Sequence, residues 1–176
     1  MIRLAQANDA KTILELIEFH ADSEQMLFRT LDDIRNNIQN FLVYEDAGVA
    51  IGTCALSACG SGLVEVRSLA VHPGHYRKGV GTALVEHCIE RATQIEFEKI
   101  FVLTYALPLF AKLGFEIIDK AALPQKIWKD CQVCRKQDHC DETAMIRSLA
   151  GQASLSRGGK GLTVGNAPQL LSASGV

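Results

Sequence analysis

The sequence predicts an α/β domain with a mixed, mostly antiparallel sheet flanked by helices. Three observations carry that prediction. Two amphipathic helical stretches come first, β-branched runs joined by tight turns follow, and the order then becomes strand–helix–strand–helix–strand. The stretch at 64–84, VEVRSLAVHPGHYRKGVGTAL, reads as strand, break, glycine-rich turn and helix, and the remaining elements are arranged around it. At 176 residues, with 48% hydrophobic and 22% charged side chains, the chain suits one domain with a full core.

Residues 2–5 form a short candidate strand. Asn8 is placed to cap a helix carrying Ile13, Leu14, Leu16 and Ile17 and ending near His20. Residues 22–28 show no period. Thr30-Leu31-Asp32-Asp33 has the form of a capping box and opens a second helix with Leu31, Ile34 and Ile38 on one face. Residues 41–45 and 49–58 read as strands joined by the turn Asp46-Ala47-Gly48. Gly60-Ser61-Gly62 leads into the strand at 64–71, where alternation puts Glu65 and Arg67 on the side of Leu69 and Val71. His72, Pro73 and Gly74 stop that strand. Gly79 and Gly81 open a helix with Leu84, Val85, Cys88, Ile89 and Ala92 as its apolar stripe. A buried strand at 99–104, a short helix at 108–113 stopped by Gly114, and a strand at 115–118 complete the pattern.

A strand that feeds a glycine-rich helix start is suited to an anion. The first N–H groups of a helix lack an internal acceptor, the macrodipole adds positive charge there, and glycine allows close approach. Arg77 and Lys78 bring formal charge to the same place. The expected ligand is a phosphate or pyrophosphate. A Walker loop is excluded because Val80-Gly81 follows Gly79 where Lys-Ser/Thr is needed. A dinucleotide fingerprint is excluded because Leu84 occupies its third glycine position.

What remains, Tyr76-Arg77-Lys78-Gly79-Val80-Gly81 after a strand ending in Val-His-Pro, resembles the acyl-CoA turn of the GNAT N-acetyltransferase superfamily. Tyr76 departs from the Gln or Arg of that turn, with Arg77 beside it. LFAKLGFE at 109–116 resembles a second element of the superfamily. MLFRT at 26–30, FLVYEDAGVAIGTCAL at 41–56, EVRSLAVHP at 65–73, FVLTY at 101–105 and LPQKIW at 123–128 resemble one branch, N-acetylglutamate synthase, in its short stand-alone form. The resemblance spans residues 1–149 and implies a single GNAT-like domain. It also implies acetyl-CoA as acyl donor and the α-amino group of L-glutamate as acceptor, with direct transfer in a ternary complex.

On that reading Leu69, Ala70, Val71, Arg77, Lys78, Gly79, Val80, Gly81 and Thr82 bind acetyl-CoA. Glu65 is the candidate base, with an ion pair to Arg67 as its structural alternative. Arg29 and Arg67 are the candidates for the acceptor carboxylates. Tyr105 is the candidate acid for the departing thiolate, with packing as its structural alternative; Phe110 departs from the tyrosine that many superfamily members have at its position. Two other readings stay open: a GNAT enzyme for another amino acid or a protein amine, and a non-catalytic acyl-CoA sensor.

Net charge is −2, which favours neither nucleic acid nor an anionic membrane as partner. Residues 1–20 hold charges of both signs and no long apolar run, so neither a signal peptide nor a membrane span is expected. Cys54, Cys59 and Cys88 fall in regular elements, as in a reduced, cytoplasmic protein; a homodimer is left open. Cys131, Cys134 and Cys140 have soft-metal spacing but lack a well-placed fourth ligand, so no metal is expected. Residues 150–176 hold six glycines, four serines and no aromatic, and are expected to form a disordered tail.

Overall fold

The computed structural model describes residues 1–60, 62–123 and 140–149. The tail at 150–176, Cys131 and Cys134, and most of the LPQKIW stretch lie outside the described residues. The chain opens with β1 (Ile2–Leu4), a 3-10 turn (Ala7–Asp9) and α1 (Ala10–Ala21). The N-cap position of α1 is Asp9 rather than the expected Asn8, and its side chain makes no cap bond to the helix. Its carboxylate accepts the Gln6 N–H at 2.7 Å and two bonds from the Arg3 guanidinium at 2.7 and 3.0 Å. The Arg3 bonds hold the Asp9 carboxyl below its ordinary range. At α2 (Leu31–Asn36) the Thr30 hydroxyl accepts the Asp33 N–H at 3.1 Å, as the capping pattern requires.

A meander follows: β2 (Phe41–Asp46), β3 (Val49–Ala58) and β4 (Leu63–Val71). The β2–β3 turn has positive φ at both Ala47 and Gly48, the backbone of a type I′ hairpin. Then come α3 (Val80–Gln94), β5 (Lys99–Thr104), α4 (Leu107–Lys112), β6 (Glu116–Ile117) and β7 (Thr143–Ser148). The described strands form one sheet in the order β1-β2-β3-β4-β5-β7-β6, antiparallel throughout except for β4 with β5. The strand β7 was not anticipated. It inserts between β5 and β6, and it is this long-range pairing, rather than a local pattern, that makes it a strand.

The helices cover both faces. α1 and α2 bury Ile13, Ile17 and Ile34 against Val43 and Ala55. α3 and α4 bury Leu84, Val85 and Phe110 against Cys54, Leu56, Val64 and Val66. At Gly52 the close approach of α3 demands glycine. A Cβ there would lie 2.9 Å from Val80 Cγ1 and 3.1 Å from Leu84 Cδ1. Gly52→Val is expected to destabilise by about 1–3 kcal/mol through overpacking, read as a lower melting temperature in a thermal melt. An unchanged melt would mean that α3 moves outward without cost.

Candidate active site

The site begins where the sheet opens. β4 and β5 are in register only at Leu63↔Lys99, Val64↔Ile100 and Glu65↔Phe101. Beyond this β5 continues to Thr104 with β7 on its far side, and among the described residues no strand pairs with β4 from Val66 to Val71 on the β5 side. On the other side β4 stays with β3 but carries a bulge. Ala55 faces Arg67 and Thr53 faces Ala70, so two steps on β3 meet three on β4. Ser68 takes up the extra residue at φ 53°, a left-handed backbone uncommon for a non-glycine residue.

That bulge corrects the expected alternation. Val64 and Val66, and beyond the bulge Leu69 and Val71, all pack toward the α3 core. Glu65 and Arg67 therefore point to the opposite face, where their partners across the ladder are Ser57 and Ala55, and Ala55 belongs to the α1 core. One inserted residue reverses every side chain past it. Leu69 and Val71 are thus separated from Glu65 and Arg67 by the thickness of the sheet.

The bulge also fixes which peptide groups face the opening. His72 donates its N–H to Ile51 O at 2.8 Å, so Gly52–Val71 is a non-hydrogen-bonded pair. The N–H and C=O of Val71 consequently point away from β3, and by strand alternation so do those of Leu69. The Val71 carbonyl accepts from His20 Nε2 at 3.0 Å. Ala70 turns its peptide groups toward Thr53.

From β4 the chain passes through a 3-10 turn (Pro73–His75), where His72 Nδ1 accepts the Gly74 N–H at 3.2 Å. Arg77 and Gly79 both take positive φ, 58° and 82°, and bring the chain to the start of α3. The first α3 bond runs from Ala83 N–H to Gly79 O at 2.9 Å. Val80, Gly81 and Thr82 therefore have no acceptor for their N–H groups within the helix. Arg77 and Lys78 are exposed at this end. The two glycines differ in their reason. A Cβ at Gly79 would meet nothing, so its left-handed φ is what requires glycine. A Cβ at Gly81 would sit 3.4 Å from Leu109 Cδ1 and 3.8 Å from Val71 Cγ2, on the floor between β4 and α4.

The other expected residues lie on flanking elements. Arg29 precedes α2 and its Nη1 meets Asp33 Oδ2 at 3.2 Å. Tyr105 directly follows β5 across the opening from the end of β4, and its hydroxyl donates to Asp141. Phe110, at the superfamily's tyrosine position, is fully buried with its ring edge-on to Phe115 at 5.2 Å. His20, which its sequence neighbours mark as a surface residue, reaches the end of β4; no local spacing announces a contact across 51 positions.

Cys54, in β3, is not set up as a nucleophile. Cys54 is fully buried with Cys88 Sγ 3.4 Å from its own sulfur. The Cys88 thiol and burial together push the Cys54 thiol well above the ordinary range. Cys59 is half-buried, near the Ser57 carbonyl at 3.4 Å. Cys54→Ala and Cys59→Ala are expected to keep most turnover, with a packing loss of about 1 kcal/mol at Cys54, and initial-rate plots should intersect. Parallel plots with a trapped acetyl-cysteine would overturn direct transfer. Among the described residues, no three His, Cys, Asp or Glu side chains are grouped to hold a metal. Cys140 instead meets Lys120 Nζ, through its carbonyl at 2.9 Å and its sulfur at 3.3 Å.

Residues 7–115 match the acetyltransferase (GNAT) family. The chain is 37% identical over 148 residues to an uncharacterised N-acetyltransferase of Chlorobaculum tepidum, covering 84% of this chain and 96% of that one. It is 28% identical over 141 residues to the amino-acid acetyltransferase of Mycobacterium tuberculosis, covering 78% and 79%. Among solved structures it resembles the N-acetylglutamate synthase of Neisseria gonorrhoeae complexed with coenzyme A and N-acetyl-glutamate. There the TM-score is 0.77 and the identity 27%, over 85% of this chain and 35% of that longer one. By these matches the chain belongs to the GNAT family, as an N-acetyltransferase with acetyl-CoA as its acyl donor.

Proposed function

We propose that the acceptor is the α-amino group of L-glutamate, as in the first step of arginine biosynthesis, and that the acetyl group passes to it directly. The observation that carries this reading is the bulge at Ser68, which divides β4 into two working halves. Downstream, the peptide groups of Leu69 and Val71 and the α3 terminus take acetyl-CoA, with Arg77 and Lys78 near its phosphates and Val80, Gly81 and Thr82 offering N–H groups. Upstream, Glu65 and Arg67 face the α1 side. Similarity to amino-acid acetyltransferases, and to a synthase solved with N-acetyl-glutamate, supports the choice of acceptor.

In this reading Arg29 and Arg67 bind the two carboxylates and Glu65, directly or through water, takes the proton that the ammonium group must lose. The amine nitrogen attacks the thioester carbon, and a β4 N–H stabilises the oxyanion. The C–S bond then breaks as the nitrogen gives its second proton to solvent, and the CoA thiolate takes a proton from Tyr105, which solvent restores. The α3 dipole favours the departing anion. The protein works in the cytoplasm, and a homodimer is compatible with this chemistry. The test is release of free CoA thiol with purified protein and a panel of amino acids. Turnover with glutamate above the others is expected. Turnover confined to another amine would remove the glutamate assignment, and CoA binding without any turnover would favour a sensor.

A further inference from the structure

The end of β4 has a partner that the strand pattern does not supply. The Val71 carbonyl points away from β3, and among the described residues no strand N–H reaches this part-buried group, which leaves it open to another donor. His20, in the last turn of α1, provides it: Nε2 lies 3.0 Å from Val71 O and must carry the proton. The other ring nitrogen, Nδ1, lies 3.3 Å from Gln25 Oε1, in the segment joining α1 to α2; with the proton on Nε2 it accepts from the Gln25 side chain when the amide is turned end for end, its NH2 toward the ring. The ring also lies against Tyr76, the first residue of the glycine turn, with centroids 6.1 Å apart. Phe19 closes edge-on from the other side at 5.5 Å. A single imidazole thus touches the end of the acetyl-CoA strand, the glycine turn and the segment leading to Arg29.

We propose that His20 is a positioning residue for acetyl-CoA: by holding the Val71 carbonyl it sets the peptide plane whose neighbouring N–H groups receive the extended acyl-CoA arm. Gln25 in turn sets the ring, so order in the α1–α2 segment is transmitted to the donor strand. The inference rests on acetyl-CoA lying along the open edge of β4, and it does not depend on which amine is the acceptor. An Nε2 donor can be replaced by the amide nitrogen of glutamine, which reaches a similar point, but not by leucine.

The experiment is calorimetric titration of CoA into the wild type, His20→Gln, His20→Leu and Gln25→Leu, with a thermal melt of each. His20→Leu is expected to weaken CoA binding about tenfold, the loss of one hydrogen bond at a site, while His20→Gln stays within about threefold. Gln25→Leu, which keeps the bond to Val71, should fall between them. Wild-type affinity in His20→Leu overturns the proposal, as does an equal loss in His20→Gln. If His20→Leu does not fold, wild-type affinity in Gln25→Leu overturns it. Failure of the glutamate reading appears separately, as missing glutamate turnover by the wild type with the order of CoA affinities unchanged.

Discussion

Gly81→Val is expected to abolish useful acetyl-CoA binding while leaving the protein folded. The added Cβ would make ordinary contacts, 3.4 Å from Leu109 and 3.8 Å from Val71, and Gly81 has no left-handed backbone to be strained. The two γ-carbons, however, project over the start of α3, where Val80, Gly81 and Thr82 offer N–H groups without helical acceptors. Losing two charge-assisted bonds to a pyrophosphate costs about 3 kcal/mol or more, roughly a hundredfold in affinity. Titration of CoA and a thermal melt measure the two effects. Wild-type affinity in this variant would remove the α3 terminus as the phosphate site.

Arg29→Ala and Arg67→Ala should each raise the glutamate KM by about ten- to a hundredfold, since a hydrogen bond to a charged group is worth about 1.5–3 kcal/mol, with little change in the acetyl-CoA KM. Arg29 needs a control because its Nη1 is 3.2 Å from Asp33 Oδ2, and the two side chains are 17% and 38% exposed. An ion pair this open contributes about 1 kcal/mol at most. Asp33→Ala removes the pair and leaves the guanidinium, so its glutamate KM should stay near the wild-type value. If Asp33→Ala and Arg29→Ala lose equally, Arg29 serves the α2 start rather than the acceptor. If both arginine variants raise both KM values alike, glutamate is the wrong acceptor or other residues hold it.

Much of this molecule was legible in the order of its residues. The strands at 49–58 and 99–104 and the capping of α2 by Thr30 follow from alternation and short-range hydrogen bonding, and the structure has them at those positions. The glycine turn was legible for the same reason. Glycine, basic charge and a helix start act within a few residues of one another, so local spacing specifies the chemistry. Acetyl-CoA as donor and the GNAT family came from the resemblance of that turn and its neighbours to the superfamily, and residues 7–115 match the family.

Tertiary structure alone decided which way the two halves of β4 face. Nothing in SLAVHP marks Ser68 as the extra residue; β3 enforces the bulge by pairing Ala55 with Arg67 and Thr53 with Ala70. The consequence, Glu65 and Arg67 on one face and Leu69 and Val71 on the other, reverses what strict alternation implies. The strand β7 became visible only through its pairing with β5 and β6, on the side of β5 away from β4. His20 likewise reaches Val71 only because α1 packs against β4. A sequence determines its local periods and turns, because those energies act within a few residues. Register, bulges and contacts across the sheet depend on pairing free energy between distant segments, and no single stretch carries that information.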